Sequence, residues 1–166
     1  MNKAAKKAPV RVPAVLDGFR PLEFASTNRP VTFSGRTYLF VGDKEMGRVP
    51  RLVIAESLRT SDIVVLHCDG RWNVLGVQGG YKSAAEAERR AERMYPGISR
   101  AWRKANVTKR AARAAYDKQW EPWRCSFCSR IPPELDGSLI LSQKTNARIC
   151  HMCVEGIHET LKEQSS

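Results

Sequence analysis

The chain has 166 residues, of which 42% are hydrophobic and 27% are charged, a composition typical of a globular protein with one or two small domains. No segment approaches the roughly 18 consecutive apolar residues that a membrane helix requires, and the basic start at residues 1–7 precedes no apolar run. We therefore expect a cytoplasmic protein with neither a membrane span nor a secretory leader.

Positive charge is concentrated in the middle of the chain, which has a formal net charge of +11. Residues 82–130 carry 13 basic and 5 acidic side chains, whereas residues 131–166 carry 3 and 5. Lys and Arg side chains neutralise the phosphates of nucleic acids, and a mainly acidic segment does not. Any contact with nucleic acid would therefore fall to the middle of the chain.

The first part of the chain predicts a tail, a strand and a short helix. Residues 1–13 contain few large apolar groups, so we expect a flexible basic tail there. Residues 36–41 are rich in aromatic and β-branched side chains and precede Gly42-Asp43, which predicts a strand that ends in a turn. Because proline is tolerated in the first turn of a helix, Pro50 predicts a helix over residues 51–59.

A β-hairpin is predicted next. Residues 63–66 are all apolar, Asp69-Gly70 is a tight-turn dipeptide, and residues 72–77 return to apolar character. Two apolar runs on either side of a turn signal are typical of paired antiparallel strands, so this segment predicts a hairpin.

A helix is predicted over residues 84–95, because Ser83 and Glu86 form a capping box at its start and Pro96-Gly97 ends it. One face of this helix carries Ala87, Ala91, Met94 and Tyr95. Together with the hairpin, this helix predicts an α+β domain at residues 14–100, in which helices cover one face of a small antiparallel sheet.

A basic helical linker is predicted at residues 101–120. Within it, residues 107–120 mix alanine with Lys and Arg, which gives high helix propensity and one basic face. The candidate nucleic-acid contacts of this segment are Arg103, Lys104, Lys109, Arg110 and Arg113. Four tryptophans also stand near arginines and could stack on bases, although anchoring a core is the commoner role of tryptophan. They are Trp72, Trp102, Trp120 and Trp123, and the arginines near them are Arg71, Arg103 and Arg124.

Four of the five cysteines form two Cys-x-x-Cys pairs, Cys125 with Cys128 and Cys150 with Cys153, which are separated by 21 residues. Two such pairs suit one tetrahedral zinc ion with four thiolate ligands. Four thiolates leave no open position for a water molecule, which indicates a structural role and not a catalytic one. We predict one zinc ion per chain, held within a small module at residues 121–166.

Other uses of these cysteines fit the sequence less well. Two disulfides would suit an oxidising compartment, and a redox dithiol uses one pair at the start of a helix. Here two pairs bracket a segment with the turn residues Pro132-Pro133. His151 is an alternative ligand, but four thiolates already fill a tetrahedron.

The residues around the two pairs resemble a known family. The segments Trp-Arg-Cys-Ser-Phe-Cys-Ser at residues 123–129 and Ile-Cys-His-Met-Cys-Val-Glu at residues 149–155 are similar to the N-terminal zinc-binding domain of the ClpX unfoldase, over about 43 residues. The resemblance covers the C-terminal module alone. It implies a treble-clef zinc fold, pairing into dimers, and recognition of adaptor proteins or substrates.

Two departures limit what the resemblance implies. Ser129 stands where the family usually has a glycine, and the stretch between the cysteine pairs is a few residues longer. Outside the module, residues 79–83 lack the glycine spacing and the adjacent Gly-Lys of a nucleotide-binding P-loop. The unfolding activity of the family is therefore not implied for this chain.

The module contains more apolar residues than a small zinc hairpin can bury. Leu139, Ile140 and Leu141 are consecutive, and a strand buries only alternate side chains against so small a core. Ile157 and Leu161 share one face of a predicted helix. We expect Leu139, Ile140, Ile157 and Leu161 to form a partner-binding surface, for a second copy of the chain or for another protein.

These features favour a zinc-binding accessory or adaptor protein that contacts other proteins through its C-terminal module. The alternative is a nucleic-acid-binding regulator that uses residues 100–124, with zinc in a structural role. We expect no enzymatic activity, because the sequence offers no convergent acid, base and nucleophile. His67, Cys68 and Asp69 are neighbours in the predicted hairpin, and adjacent strand residues point to opposite faces.

Overall fold

The computed structural model describes residues 11–36, 40–41, 44–135 and 139–164. The chain divides into two compact units, residues 1–113 and residues 114–166. The fold is α+β, with a small antiparallel sheet in the first unit and a four-cysteine cluster in the second, which confirms the predicted class. Among the described helices, none has both the length and the apolar character needed to cross a membrane.

The first unit is built around a five-stranded antiparallel sheet. In chain order, its strands and those of a small second ladder are β1 (Phe19–Ser26), β2 (Phe40–Val41), β3 (Lys44–Glu45), β4 (Arg51–Ser57), β5 (Ile63–Cys68), β6 (Val74–Tyr81) and β7 (Arg103–Lys104). The sheet has the order β6-β5-β4-β1-β7, and β2 pairs with β3. The predicted hairpin is confirmed as β5 and β6. Of the predicted strand at residues 36–41, residues 37–39 lie outside the described residues, as does the turn at 42–43.

The helix predicted over residues 51–59 is wrong, because residues 51–57 form strand β4. This strand lies between β1 and β5, and its residues 52–55 are all fully buried. A central strand is covered on both faces and therefore reads as a continuous apolar run, which periodicity alone does not separate from a buried helix. Pro50 precedes the strand and so removes no hydrogen bond from the interior of the ladder.

Helix α1 (Ala84–Met94) confirms the predicted helix and its start. The backbone N–H of Glu86 donates to the Ser83 hydroxyl at 3.2 Å, and the Glu86 carboxylate accepts the N–H of Lys82 at 2.8 Å. The reciprocal bond of the predicted box thus goes to Lys82 and not to Ser83. The predicted inner face is also confirmed, since Ala87, Ala91, Met94 and Tyr95 are all buried.

The two faces of the sheet bury separate cores because strand residues alternate in direction. Leu52, Ile54 and Val65 pack with the inner face of α1 in one core. Val53, Ala55, Val64 and Leu66 form the other core, against which Leu16 and Val12 pack. Helix α1 therefore covers one face, and the chain that precedes β1 contributes to the cover of the other.

Helix α2 (Lys109–Trp120) begins near the predicted position, and the boundary between the two units falls within it, after Arg113. The second unit continues with a short hairpin, β8 (Leu139–Leu141) and β9 (Arg148–Cys150), which leads directly into α3 (His151–Gln164). The register of the hairpin places Leu139 opposite Cys150 and Ile140 opposite Ile149. Residues 136–138 lie outside the described residues.

Candidate metal centre

The first cysteine pair lies in a tight turn. The N–H of Ser129 donates to the carbonyl of Cys125 at 2.9 Å, and the N–H of Cys125 donates to the carbonyl of Arg130 at 2.9 Å. These bonds fold the backbone around the pair, so that both sulfurs face the same point. Ser129 has φ +59°, a left-handed conformation that favours glycine. A serine in this conformation costs about 1 kcal/mol relative to glycine.

The second pair lies at a junction between a strand and a helix. Cys150 is the last residue of β9, and Cys153 lies in the first turn of α3. The N–H of Ser126 donates to the carbonyl of Arg148 at 2.7 Å, and the N–H of Arg148 donates to the Ser126 hydroxyl at 3.0 Å. This reciprocal pair fixes the first turn against β9 and brings the two cysteine pairs together.

The four sulfur atoms converge to within 4.8 Å of one another. The Sγ atoms of Cys125 and Cys153 are 3.8 Å apart, and those of Cys128 and Cys150 are 3.7 Å apart. A tetrahedral ion with bonds of about 2.3 Å to each thiolate requires sulfur separations of about 3.8 Å. A disulfide would need about 2.05 Å, and all four cysteines are free. The cluster therefore has the dimensions of a four-thiolate metal site and not of two disulfides.

The thiols influence one another and the backbone. Burial alone would raise the pKa of Cys125, but backbone N–H groups, including that of Cys150 at 3.4 Å, outweigh it and lower this pKa to about 6. Burial and the neighbouring sulfurs raise the pKa of Cys153 to about 12. One thiolate is thus favoured by the fold itself, and a cation is what would allow all four to lose their protons together. His151 lies outside the cluster.

The predicted partner-binding residues lie largely at the surface. Ile140, Ile157 and Leu161 are exposed, with 56%, 42% and 56% of their surface accessible, and Leu139 is half-buried. The structure adds two exposed residues that the prediction missed, Phe127 and Met152. With Ile157, Gly156 and Leu161 they line an apolar groove of about 440 Å³ beside Cys153. Phe127 lies between the candidate ligands Cys125 and Cys128 in a tight turn, and 66% of its surface is accessible.

The predicted nucleic-acid contacts fall on two elements. Arg103 and Lys104 form β7, whereas Lys109, Arg110 and Arg113 lie in the first part of α2. The Lys104 ammonium pairs with the buried Glu23 carboxylate, and the Lys109 ammonium lies 3.9 Å from the Glu56 carboxylate. Lys104 and Lys109 are therefore already engaged by carboxylates of the sheet.

The group formed by His67, Cys68 and Asp69 has no common reaction centre. Burial lowers the pKa of His67 to about 4 and raises that of Cys68 to about 12, so both are neutral near pH 7. Asp69 holds the turn of the β5–β6 hairpin through bonds to the N–H groups of Arg71 and Asn73. Asp69 therefore has a structural role in this turn.

Comparison of the chain with protein families, with curated proteins and with solved structures gives no match.

Proposed function

We propose that the protein is a zinc-binding accessory protein whose C-terminal module, residues 121–166, docks against a second copy of itself. The observation that carries the proposal is an exposed apolar surface on a unit whose interior is mainly its metal site. The cysteine cluster suits a structural metal site and not a catalytic one. Four thiolates would fill the coordination shell of an ion and leave no position for a substrate.

Zinc is the ion that fits the donor set best. Four thiolates in a tetrahedral arrangement select zinc or iron, and a closed site with two Cys-x-x-Cys pairs is the usual form of structural zinc. The ion would join the first turn, the hairpin and α3 at one point. No activity is assigned to it beyond this cross-link.

The second unit has too small a core to stabilise itself. Among its described residues, the fully buried ones are Cys125, Ile131 and Cys150, and two of these are candidate ligands. Helix α3 has no buried residue along its 14 positions. An isolated helix of this length is marginally stable in water, so its apolar face gains from being covered. This argues that a partner, and not only the zinc hairpin, covers α3.

A second copy of this unit can cover the apolar groove, because the charges of the unit are nearly balanced. Residues 114–166 carry 6 basic and 7 acidic side chains, whereas residues 1–113 carry 22 and 10. Two nearly neutral units can approach without strong charge repulsion. A symmetric pair would bury the same apolar groove twice, as pairing in the resembling family implies. The rival function in residues 100–124 has less support, because Lys104 and Lys109 already pair with carboxylates.

The docking surface is tested by replacing Ile157 with Asp and measuring association by sedimentation. We expect dimers of the unmodified chain and monomers of the variant, because a charge in the groove must be desolvated on pairing. Gln143→Asp is the matched control, since it adds the same charge at an exposed residue of the same unit outside the groove. Both variants should retain zinc. A chain that is monomeric at near-millimolar concentration would contradict self-association.

The metal is tested by elemental analysis of freshly purified, reduced protein. We expect one zinc ion per chain in the unmodified protein and in Ile157→Asp. Protein without zinc, or with iron in its place, would contradict the proposed cofactor.

A further inference from the structure

A second cleft, of about 560 Å³, lies in the first unit at one end of the sheet. It is lined by four arginines and two tryptophans, together with small and apolar residues; the six are Arg29, Arg51, Arg100, Arg103, Trp72 and Trp102. The cleft belongs entirely to residues 1–113, so it is independent of the metal centre.

The sheet register explains why these residues meet. In an antiparallel sheet, the end of one strand adjoins the start of its neighbour. Ser26 at the end of β1 pairs with Arg51 at the start of β4, and Arg51 pairs with Cys68 at the end of β5. Arg103 on the edge strand β7 pairs with Phe24 of β1. Side chains that are far apart in the sequence are thus placed around one opening.

The charge of the cleft is positive and unbalanced. None of the residues that line it is acidic. Arg29 and Arg103 are exposed, and neither side chain makes an ion pair or a hydrogen bond within the described parts of the chain. Guanidinium groups present a planar set of donors that matches phosphate oxygens. The cleft therefore offers a site for an anion, at which Arg29 and Arg103 are still available to pair with it.

The aromatic side of the cleft is held in a fixed position. The guanidinium of Arg51 lies 4.1 Å from the centre of the Trp72 ring, and Phe24 packs edge-on against the same ring at 5.6 Å. Trp72 has φ +75°, a conformation that is rare for a large side chain and costs about 1 kcal/mol or more. The turn is held by Asp69, whose carbonyl accepts the Trp72 N–H and whose carboxylate accepts the N–H of Asn73 at 2.9 Å.

We infer that this cleft binds a nucleotide unit, with the phosphate on the arginines and the base stacked on the Arg51–Trp72 pair or on Trp102. Arginine planes and indole rings both stack on bases. Because every base has a flat face, such stacking does not depend on the nucleotide sequence. The same chemistry is offered by a free nucleotide and by a single strand of DNA or RNA. An acidic peptide matches the charge but supplies no planar ring, and the bases of a duplex are already stacked on one another.

The inference is tested on the full zinc-loaded chain by fluorescence anisotropy at low salt. The probes are a fluorescein-labelled 12-nucleotide single strand, the same sequence as a duplex, labelled AMP, and polyglutamate as an unlabelled competitor. We expect the single strand to bind with an affinity that falls log-linearly with added salt. Binding of labelled AMP with similar affinity would identify a free nucleotide as the ligand, whereas much weaker binding would identify the strand.

Paired variants separate the cleft from general attraction to a basic protein. The double variant Arg29→Ala with Arg103→Ala should weaken binding of the single strand about tenfold. It should also reduce the slope of the logarithm of affinity against the logarithm of salt concentration by about one to two. Arg89→Ala with Arg93→Ala removes the same charge from α1, outside the cleft, and should weaken binding by less than threefold. Arg51→Lys keeps the positive charge but loses the planar guanidinium that covers Trp72. It should weaken binding of the single strand more than binding of the duplex.

Four outcomes would overturn the inference. They are no binding of either the single strand or AMP at low salt, equal weakening by the two double variants, binding of the duplex as tight as that of the single strand, and displacement of the strand by polyglutamate at an equal concentration of charge. Because all the double-variant positions are exposed arginines, each variant should keep the far-ultraviolet circular dichroism of the unmodified chain.

Discussion

The two units of the chain are stabilised by different means. In the first unit, both faces of a five-stranded sheet are covered, and large side chains such as Leu52, Leu66 and Tyr95 are fully buried. In the second unit, Ile131 is the one large apolar side chain that is fully buried among the described residues. From this comparison we expect the first unit to depend on apolar burial and the second to depend on the proposed metal cross-link, as small domains commonly do.

The largest expected effect comes from breaking that cross-link. We expect Cys150→Ser to lose the metal and to unfold residues 114–166, because binding of structural zinc contributes on the order of 10 kcal/mol to folding. The first unit should stay folded, since its cores contain no ligand. Amide resonances of the two units in a two-dimensional NMR spectrum would show this directly.

Cys68→Ala is the matched control, because Cys68 is a buried cysteine of the first unit. It should keep the metal and the second unit, and destabilise the sheet by about 1 kcal/mol. Collapse of both units in Cys150→Ser would show that the comparison is wrong and that the units share their stability.

An intermediate effect is expected in the first unit when the pH falls. Burial lowers the pKa of His67 to about 4, below the ordinary value of 6.5. Between these two values the unfolded chain binds the proton and the folded chain does not, so stability is complete above pH 6.5 and declines as the pH falls towards 4. We expect a loss of about 2 kcal/mol between pH 7 and pH 5.

Urea unfolding, followed through the amide resonances of β4 and β5, would measure this loss. In His67→Gln the difference in unfolding free energy between pH 7 and pH 5 should shrink by most of that amount, whatever the absolute stability of the variant. An unchanged difference would mean that His67 is not the group responsible.

The smallest expected effect lies in the second unit. Gly156 is a glycine within α3, and no heavy atom lies within 4 Å of the place that a Cβ would take. In the Ile157→Asp background, where no second copy covers the groove, we expect Gly156→Ala to stabilise the helix by about 0.5–1 kcal/mol, because alanine loses less backbone entropy than glycine. Hydrogen exchange of the α3 amides should slow by about two- to fivefold, and faster exchange would contradict the prediction. Glu155→Ala, at the exposed neighbouring position, should change exchange less.

Local signals in the sequence were enough for several elements. The turn at Asp69-Gly70 and the cap at Ser83 act over a few residues, so the β5–β6 hairpin and α1 follow from them. The four cysteines were identified in the same way, because the spacing within each pair determines the turn and the chemistry of the thiolates determines the cluster.

Features that depend on distant contacts were missed. The sequence predicts a helix over residues 51–59, but residues 51–57 form a strand. The place of this strand between β1 and β5 is decided by pairing with them and not by its own periodicity. The cleft as a whole was not predicted, although Arg103, Trp72 and Trp102 are among the candidate nucleic-acid contacts of the sequence. The register of the sheet brings Arg51 and Arg103 together, and the loop after β1 adds Arg29.

The burial of Cys68 gives the chain an internal standard for counting thiols. This thiol is inaccessible, and its pKa is raised to about 12 by burial and by the nearby carboxylates of Asp69 and Asp17, so a thiol reagent should not reach it in the folded chain. With zinc bound, the four remaining cysteines would react slowly. Addition of a chelator should release four reactive thiols, and denaturant should release a fifth. The colour developed at each step would then report metal loading and integrity of the sheet in one sample.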